Sequence, residues 1–192
     1  MLKLNTTPVT VNQVITTANI SQLNFVPVTY YNGNAVFSRK GYDGTVYSTT
    51  ATATVSVNSI NDAPTVSNSS KTVNEDTTMT FVSTDFTNNF SDPDADTLQK
   101  IKVTALPTSS EGYLKLAGAN ITINQEIVLA SLAQITFVPT LNRNGQTNFT
   151  RQAADQIVYS TNTATLTLNV TAVNDAPTVS DFGKNGNEDT TL

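Results

Sequence analysis

The chain has 192 residues, of which 38% are hydrophobic and 13% charged, with a net charge of −5 and no Cys, His or Trp. A negative chain without a basic run argues against a nucleic-acid partner, because phosphate neutralisation needs clustered Lys and Arg. The missing His and Cys remove the usual general base, thiol nucleophile and zinc ligands, and no apolar run reaches the length that inserts into a membrane.

Thr, Asn and Ser fill the gap left by charged residues. Thr favours strands while Asn and Ser favour turns, so many short strands on tight polar loops are expected. Met1 leads straight into strand-like Leu2-Lys3-Leu4 with no signal peptide ahead; for a secreted parent, the signal is expected outside this stretch. Ala51–Val57 alternates apolar and polar residues, as a strand with one buried face does. Further strands are expected at 65–67, 77–83, Lys100–Ala105, Gly112–Leu116, 133–138, 147–153 and 165–171. Turn signals at Asp92-Pro93-Asp94, 107–112 and Asn144-Gly145 separate them, and helical pattern is confined to single turns at 84–90 and 129–133. About seven short strands of this kind predict an all-β, immunoglobulin-like Greek-key β-sandwich. Phe81, Phe137, Phe149 and Tyr159 are expected in its core, and Arg39 and Arg151 to serve the fold.

The chain repeats itself. Leu2-Lys3-Leu4 returns as Leu114-Lys115-Leu116, Phe25-Val26-Pro27 as Phe137-Val138-Pro139, and Val46-Tyr47-Ser48-Thr49 as Val158-Tyr159-Ser160-Thr161, each 112 positions later. After one inserted residue near Asn162 the separation is 113, and Asn61-Asp62-Ala63-Pro64 returns as Asn174-Asp175-Ala176-Pro177. Such a period is about one sandwich domain. Residues 1–60 then form the C-terminal part of one repeat, 61–173 a complete repeat, and 174–192 the start of a third.

Carboxylates are scarce, and most fall in predicted loops. Asp92-Pro93-Asp94-Ala95-Asp96 spaces its acids so that they can converge on a hard cation, which calcium satisfies with six to eight oxygens. Asn61-Asp62 adds an amide and a carboxylate at the joint between repeats, with Glu75 approaching from the same end. The bland reading competes: Asp caps turns through its own backbone without any metal, and Asp43-Gly44 is ordinary hairpin chemistry.

The Asn61-Asp62-Ala63-Pro64 linker, the Glu75-Asp76 pair, the Asp-rich loop at 92–96 and the Asp43-Gly44 turn together resemble the cadherin-like repeats of large bacterial surface adhesins. The resemblance covers essentially the whole chain. It implies calcium between successive repeats, held at the first junction by Asp43, Asn61, Asp62, Glu75, Asp92 and Asp94. At the second junction it implies Asp155, Asn174, Asp175 and Glu188. Two positions depart from the family pattern: Ala95 stands where glycine is usual, and Gln156 follows Asp155 in place of glycine.

The function expected is a structural spacer or adhesion repeat of an extracellular cell-surface protein, stiffened by calcium and partnered by neighbouring repeats. One alternative is a carbohydrate- or cell-binding module, for which Tyr30-Tyr31 is the sole hint. Another is a fibre subunit whose ends are completed by strands of identical chains. An enzyme is not expected, since a glycosidase carboxylate pair flanks a cleft from separate elements and Asp92 and Asp94 share one turn.

Overall fold

A computed structural model of the chain describes residues 1–189 and 191. In chain order the strands are β1 (Leu2–Leu4), β2 (Thr7–Pro8), β3 (Leu23–Phe25), β4 (Gly33–Arg39), β5 (Ala51–Val57), β6 (Thr65–Val66), β7 (Ser69–Asn74) and β8 (Met79–Thr80). There follow β9 (Phe90–Ser91), β10 (Lys100–Ala105), β11 (Gly112–Leu116), β12 (Ala119–Asn120), β13 (Glu126–Val128), β14 (Ile135–Pro139), β15 (Gly145–Ala154) and β16 (Ala164–Thr171). Among the described residues helix is limited to α1 (Thr84–Thr87) and two 3-10 turns, Thr17–Gln22 and Leu129–Gln134. The chain divides into two compact units. The first holds Met1–Val66, Phe90–Lys100 and Ala153–Asn162; the second holds Ser67–Asn89, Ile101–Gln152 and Thr163–Leu192.

The second unit carries the expected all-β sandwich. One sheet runs β13-β10-β15-β16-β7 and the other β12-β11-β14-β8. Neighbours in the sheets are mostly distant in sequence, as in a sandwich whose strands cross over between layers. Every second residue of β16 (Ala164, Leu166, Leu168, Val170) is buried, which is the period of a strand with one face inward. Phe81 lies between the layers, edge-on to Phe149 at 5.8 Å and tilted against Phe86 at 5.6 Å. Phe81, Phe137 and Phe149 are fully buried, as expected. Tyr159, expected beside them, belongs to the first unit and is half-exposed, with the Lys100 ammonium 5.1 Å from its ring centre.

Two differences from the expectation shape the sheets. The segment expected as a strand at 77–83 pairs only at Met79–Thr80, because Asp85 Oδ2 accepts the Val82 N–H at 2.8 Å and turns the chain into α1. The polar segment Ser69–Asn74, unassigned in sequence, lies parallel to β16 from Leu166↔Ser69 to Thr171↔Asn74.

Arg151 is completely buried on β15, and among the described residues none of its side-chain nitrogens meets a hydrogen-bond acceptor. Its guanidinium lies 5.4 Å from the Phe86 ring centre, and burial lowers its pKa to about 10.

The first unit contains a sheet β2-β1-β3 and the hairpin β4-β5. Their registers copy the sandwich. Leu2 pairs with Phe25 as Leu114 pairs with Phe137, and Arg39 pairs with Ala51 as Arg151 pairs with Ala164. Even the bridge Tyr42↔Tyr47 returns as Ala154↔Tyr159. A repeat visible in sequence is thus also a repeat of pairing.

Candidate metal centre

The Asp-rich loop is built around one side chain. Asp92 Oδ1 accepts the N–H of Asp94 at 2.7 Å and of Asp96 at 3.4 Å, and the Ala95 N–H returns to the Asp92 carbonyl at 3.2 Å. This is the turn that Asp forms on its own backbone. Ala95 sits at φ 63°, the left-handed region where glycine is at ease, so the loop keeps its shape at a cost of about 1 kcal/mol. Asp92 Oδ2 is buried and meets no hydrogen-bond partner among the described residues.

The linker closes onto this loop inside the first unit. The Asp62 N–H donates to Asp94 Oδ2 at 2.6 Å. Asn61 Nδ2 donates to Asp155 Oδ2 and to the Asp62 carbonyl, each at 3.2 Å. Asp155 Oδ1 accepts the N–H groups of Ile157 and Val158, both at 2.6 Å. Burial works against ionisation of Asp155, but the Val158 and Ile157 amides and Asn61 outweigh it and hold its pKa below the ordinary value. Asn162 ties the same segment down, accepting the Val66 N–H at 3.1 Å and donating to its carbonyl at 2.7 Å.

This grouping differs from the one implied by family resemblance. Asp155 belongs with Asn61 and Asp94, not with Asn174. It is separated from the second linker by the whole of β16, eight residues long. Asp43 accepts the Thr45 and Val46 N–H groups at 2.7 and 2.8 Å, repeating the Asp155 turn, and the Val46 and Thr45 amides lower its pKa. No hydrogen bond joins it to Asn61 or Asp62. Gly44 takes φ 107° in that turn, whereas Gln156 is absent from the left-handed residues, so the second copy closes without glycine.

Glu75 also changes place. It is buried in the second unit, where Oε1 accepts the Val173 N–H at 2.8 Å and Oε2 accepts Asn144 Nδ2 at 3.3 Å. Its own N–H donates to the Thr171 carbonyl at 2.9 Å. Glu75 therefore meets the second Asn-Asp-Ala-Pro segment, which follows β16. There Asn174 Nδ2 donates to the Asp175 carbonyl at 3.3 Å, the same bond that Asn61 makes. Glu188 is exposed, and Asp189 at φ 61° repeats the left-handed turn of Asp76 at φ 60°. Positions 190 and 192, in the stretch expected to open a third repeat, lie outside the described residues.

Among the described residues, no three His, Cys, Asp or Glu side chains come together as a metal-holding group. The donors at the first linker are nonetheless carboxylate and amide oxygens, the kind calcium takes, and the orphaned Asp92 oxygen fits such an ion. The roles of Asn144 and Asn162 are marked in sequence only indirectly, Asn144 by its turn signal and Asn162 by the one-residue insertion near it. Of the aromatic pair noted in sequence, Tyr30 is exposed in a left-handed turn and Tyr31 half-buried. The rings that do stack are Tyr42 and Tyr47, 4.6 Å apart.

Residues 60–171 match the model of the cadherin-like domain. No curated protein matches the chain. Among solved structures, an endo-fucoidan hydrolase of glycoside hydrolase family 107 is similar over 79% of this chain, with 19% identity and a TM-score of 0.31; the match spans 20% of that enzyme. No helix among the described residues is long and apolar enough to cross a membrane.

Proposed function

The chain belongs to the cadherin-like domain family, and from that premise we propose that it is a structural spacer and adhesion repeat of an extracellular cell-surface protein, stiffened by calcium at its linkers. Its partners on this reading are the neighbouring repeats of the same polypeptide, divided at 1–60, 61–173 and 174–192. On this reading it is not an enzyme, and its carboxylates serve turns and linkers.

The observation that carries the calcium reading is Asp92 Oδ2, a buried carboxylate oxygen without a partner beside a linker already bonded to Asp94 and Asp155. A buried oxygen of this kind costs free energy unless a proton or cation meets it. Asn61, Asp62, Asp92, Asp94 and Asp155 would hold an ion at the entering linker; Glu75, Asn174 and Asp175 would be the oxygen donors at the leaving one. Calcium supplies positive charge that lets several carboxylates share one point. The chain's own part is to present them: β15 delivers Asp155, the Asp92 turn delivers Asp94, and the linker amides lock onto both. A linker so held is shortened in its freedom and shielded from proteolysis.

Thermal melts of the intact chain test this, run with calcium and with excess chelator. Extracellular modules bind calcium at about 10⁻⁴ to 10⁻³ M, and an ion at one hundred times its Kd adds about 2.7 kcal/mol by linkage. The melting temperature is expected to rise with calcium, and Asp92→Ala/Asp94→Ala to remove the rise. Superimposable curves with and without the ion would refute the reading.

A further inference from the structure

Two unpartnered polar side chains of the second unit face one interior layer beneath α1. Arg151 pairs with Ala164 on β16, and Leu166, two residues on, pairs with Ser69 on β7. Partners in register share a face of the sheet, as do residues two apart on one strand. Ala164 and Leu166 are buried, so Arg151 and Ser69 both point inward, and small Ala164 lets the long arginine cross β16. Above them α1 closes the layer. The Phe86 ring centre lies 5.4 Å from the guanidinium, and Asp85 Oδ2 meets Nζ of Lys71, two residues past Ser69 on the same face, at 2.6 Å.

The charges under α1 do not balance. Lys71 and Arg151 are both cationic, and the helix supplies one carboxylate, Asp85. That carboxylate is taken by Lys71 and by the Val82 N–H at 2.8 Å. Among the described residues Nε and both Nη atoms of Arg151 meet no acceptor, Ser69 Oγ meets no partner, and all four atoms are buried. A guanidinium presents five N–H donors in a fixed plane and stays charged at neutral pH, even with its pKa lowered to about 10. A buried charge without a counter-charge is costly. A water can accept from the donors, but it leaves the charge unmatched.

We propose that the Arg151 guanidinium and the Ser69 hydroxyl bind one small monovalent anion of the halide class beneath α1. The guanidinium contributes charge-assisted N–H donors and Ser69 an O–H, a set that suits an anion and not a cation. One negative charge cancels the single excess positive charge. A doubly charged anion overshoots it, and a bulky one does not fit beside a side chain that is completely buried. The bound ion would tie α1 to β15 and β7, holding both sheets of the sandwich together from within. This goes beyond the spacer reading. It lies inside the complete repeat and needs no calcium, so it is tested in chelator, where failure of the linker site cannot affect it.

Thermal melts of the full chain are run at constant ionic strength while sodium gluconate is replaced by sodium chloride or bromide. The native chain is expected to melt higher as halide rises, its folding constant gaining about tenfold when the ion reaches about ten times its Kd. In gluconate Arg151→Met is expected to melt above the native chain, because the bare charge is gone. Halide narrows that gap, since the variant has no site to fill. Ser69→Ala, which removes one donor, is expected to respond only at higher halide concentration. Crystals grown in bromide give a check that needs no variant: anomalous scattering is expected beside the guanidinium. A native chain that follows Arg151→Met in parallel at every halide concentration, or bromide crystals with no anomalous scatterer beside Arg151, overturns the proposal.

Discussion

The hairpins β4-β5 and β15-β16 are one motif in two surroundings. Both place a glycine at the entry, Gly33 and Gly145, with φ 109° and 108°. Both put an arginine opposite an alanine at the far end. Yet Phe149 and Arg151 are completely buried, while Phe37 is half-exposed and Arg39 exposed. Strand pairing is therefore dictated by local sequence, and burial by what the other strands supply. Register needs two strands; a core needs two sheets.

The largest test of that difference is truncation of the paired phenylalanines. Phe149→Ala is expected to destabilise the sandwich by about 3–5 kcal/mol, and Phe37→Ala to leave its unfolding midpoint unchanged; urea titration of the two variants compares them. Comparable losses would mean that the exposed hairpin is packed in solution. Next comes the buried charge. Arg151→Met keeps the volume and removes an unpaired guanidinium, so a gain of about 1–3 kcal/mol is expected, read as a higher melting temperature. Arg39→Met is expected to give none.

Asp155 and Asp43 cap the same turn, but only Asp155 is buried and joined to a linker. Its folded pKa is depressed, so its stabilisation is complete above the unfolded value, near 3.8, and is lost as pH falls through the lower folded value. Asp155→Asn is expected to cost about 1–3 kcal/mol at neutral pH and to flatten the loss of stability below about pH 4. Calorimetry across that range checks both. The smallest expected effect is at the loop: Ala95→Gly relieves a left-handed alanine and is expected to add up to about 1 kcal/mol, measured as a shift in the denaturation midpoint.

Much of this was legible in the sequence because the strands alternate cleanly. Ala51–Val57 and 165–171 were found from period alone, and the repeat fixed which residues are equivalent. β7 was not legible, since Ser69–Asn74 is polar and buries one residue fully, Val73; its place comes from a partner ninety-odd residues away, not from its own composition. The acidic residues stand out in the sequence, but their neighbours in the fold do not follow from it. Asp155 stands near Asn174 in sequence, and Glu75 near Asn61, but β16 and β7 each carry the chain along the sheet before the linker is reached. Strand length, at about 3.3 Å per residue, outweighs closeness in number.

The parallel alignment of β7 and β16 has a mechanical meaning. A pull that enters at Ser69 and leaves at Thr171 runs in opposite directions along two neighbouring strands and loads their ladder in shear. The backbone bonds across six paired positions must then yield together, not one after another as in a hairpin drawn open from its end. Forced unfolding is governed by the barrier and not by the equilibrium, so this domain can be modest in thermal stability and still hold under tension.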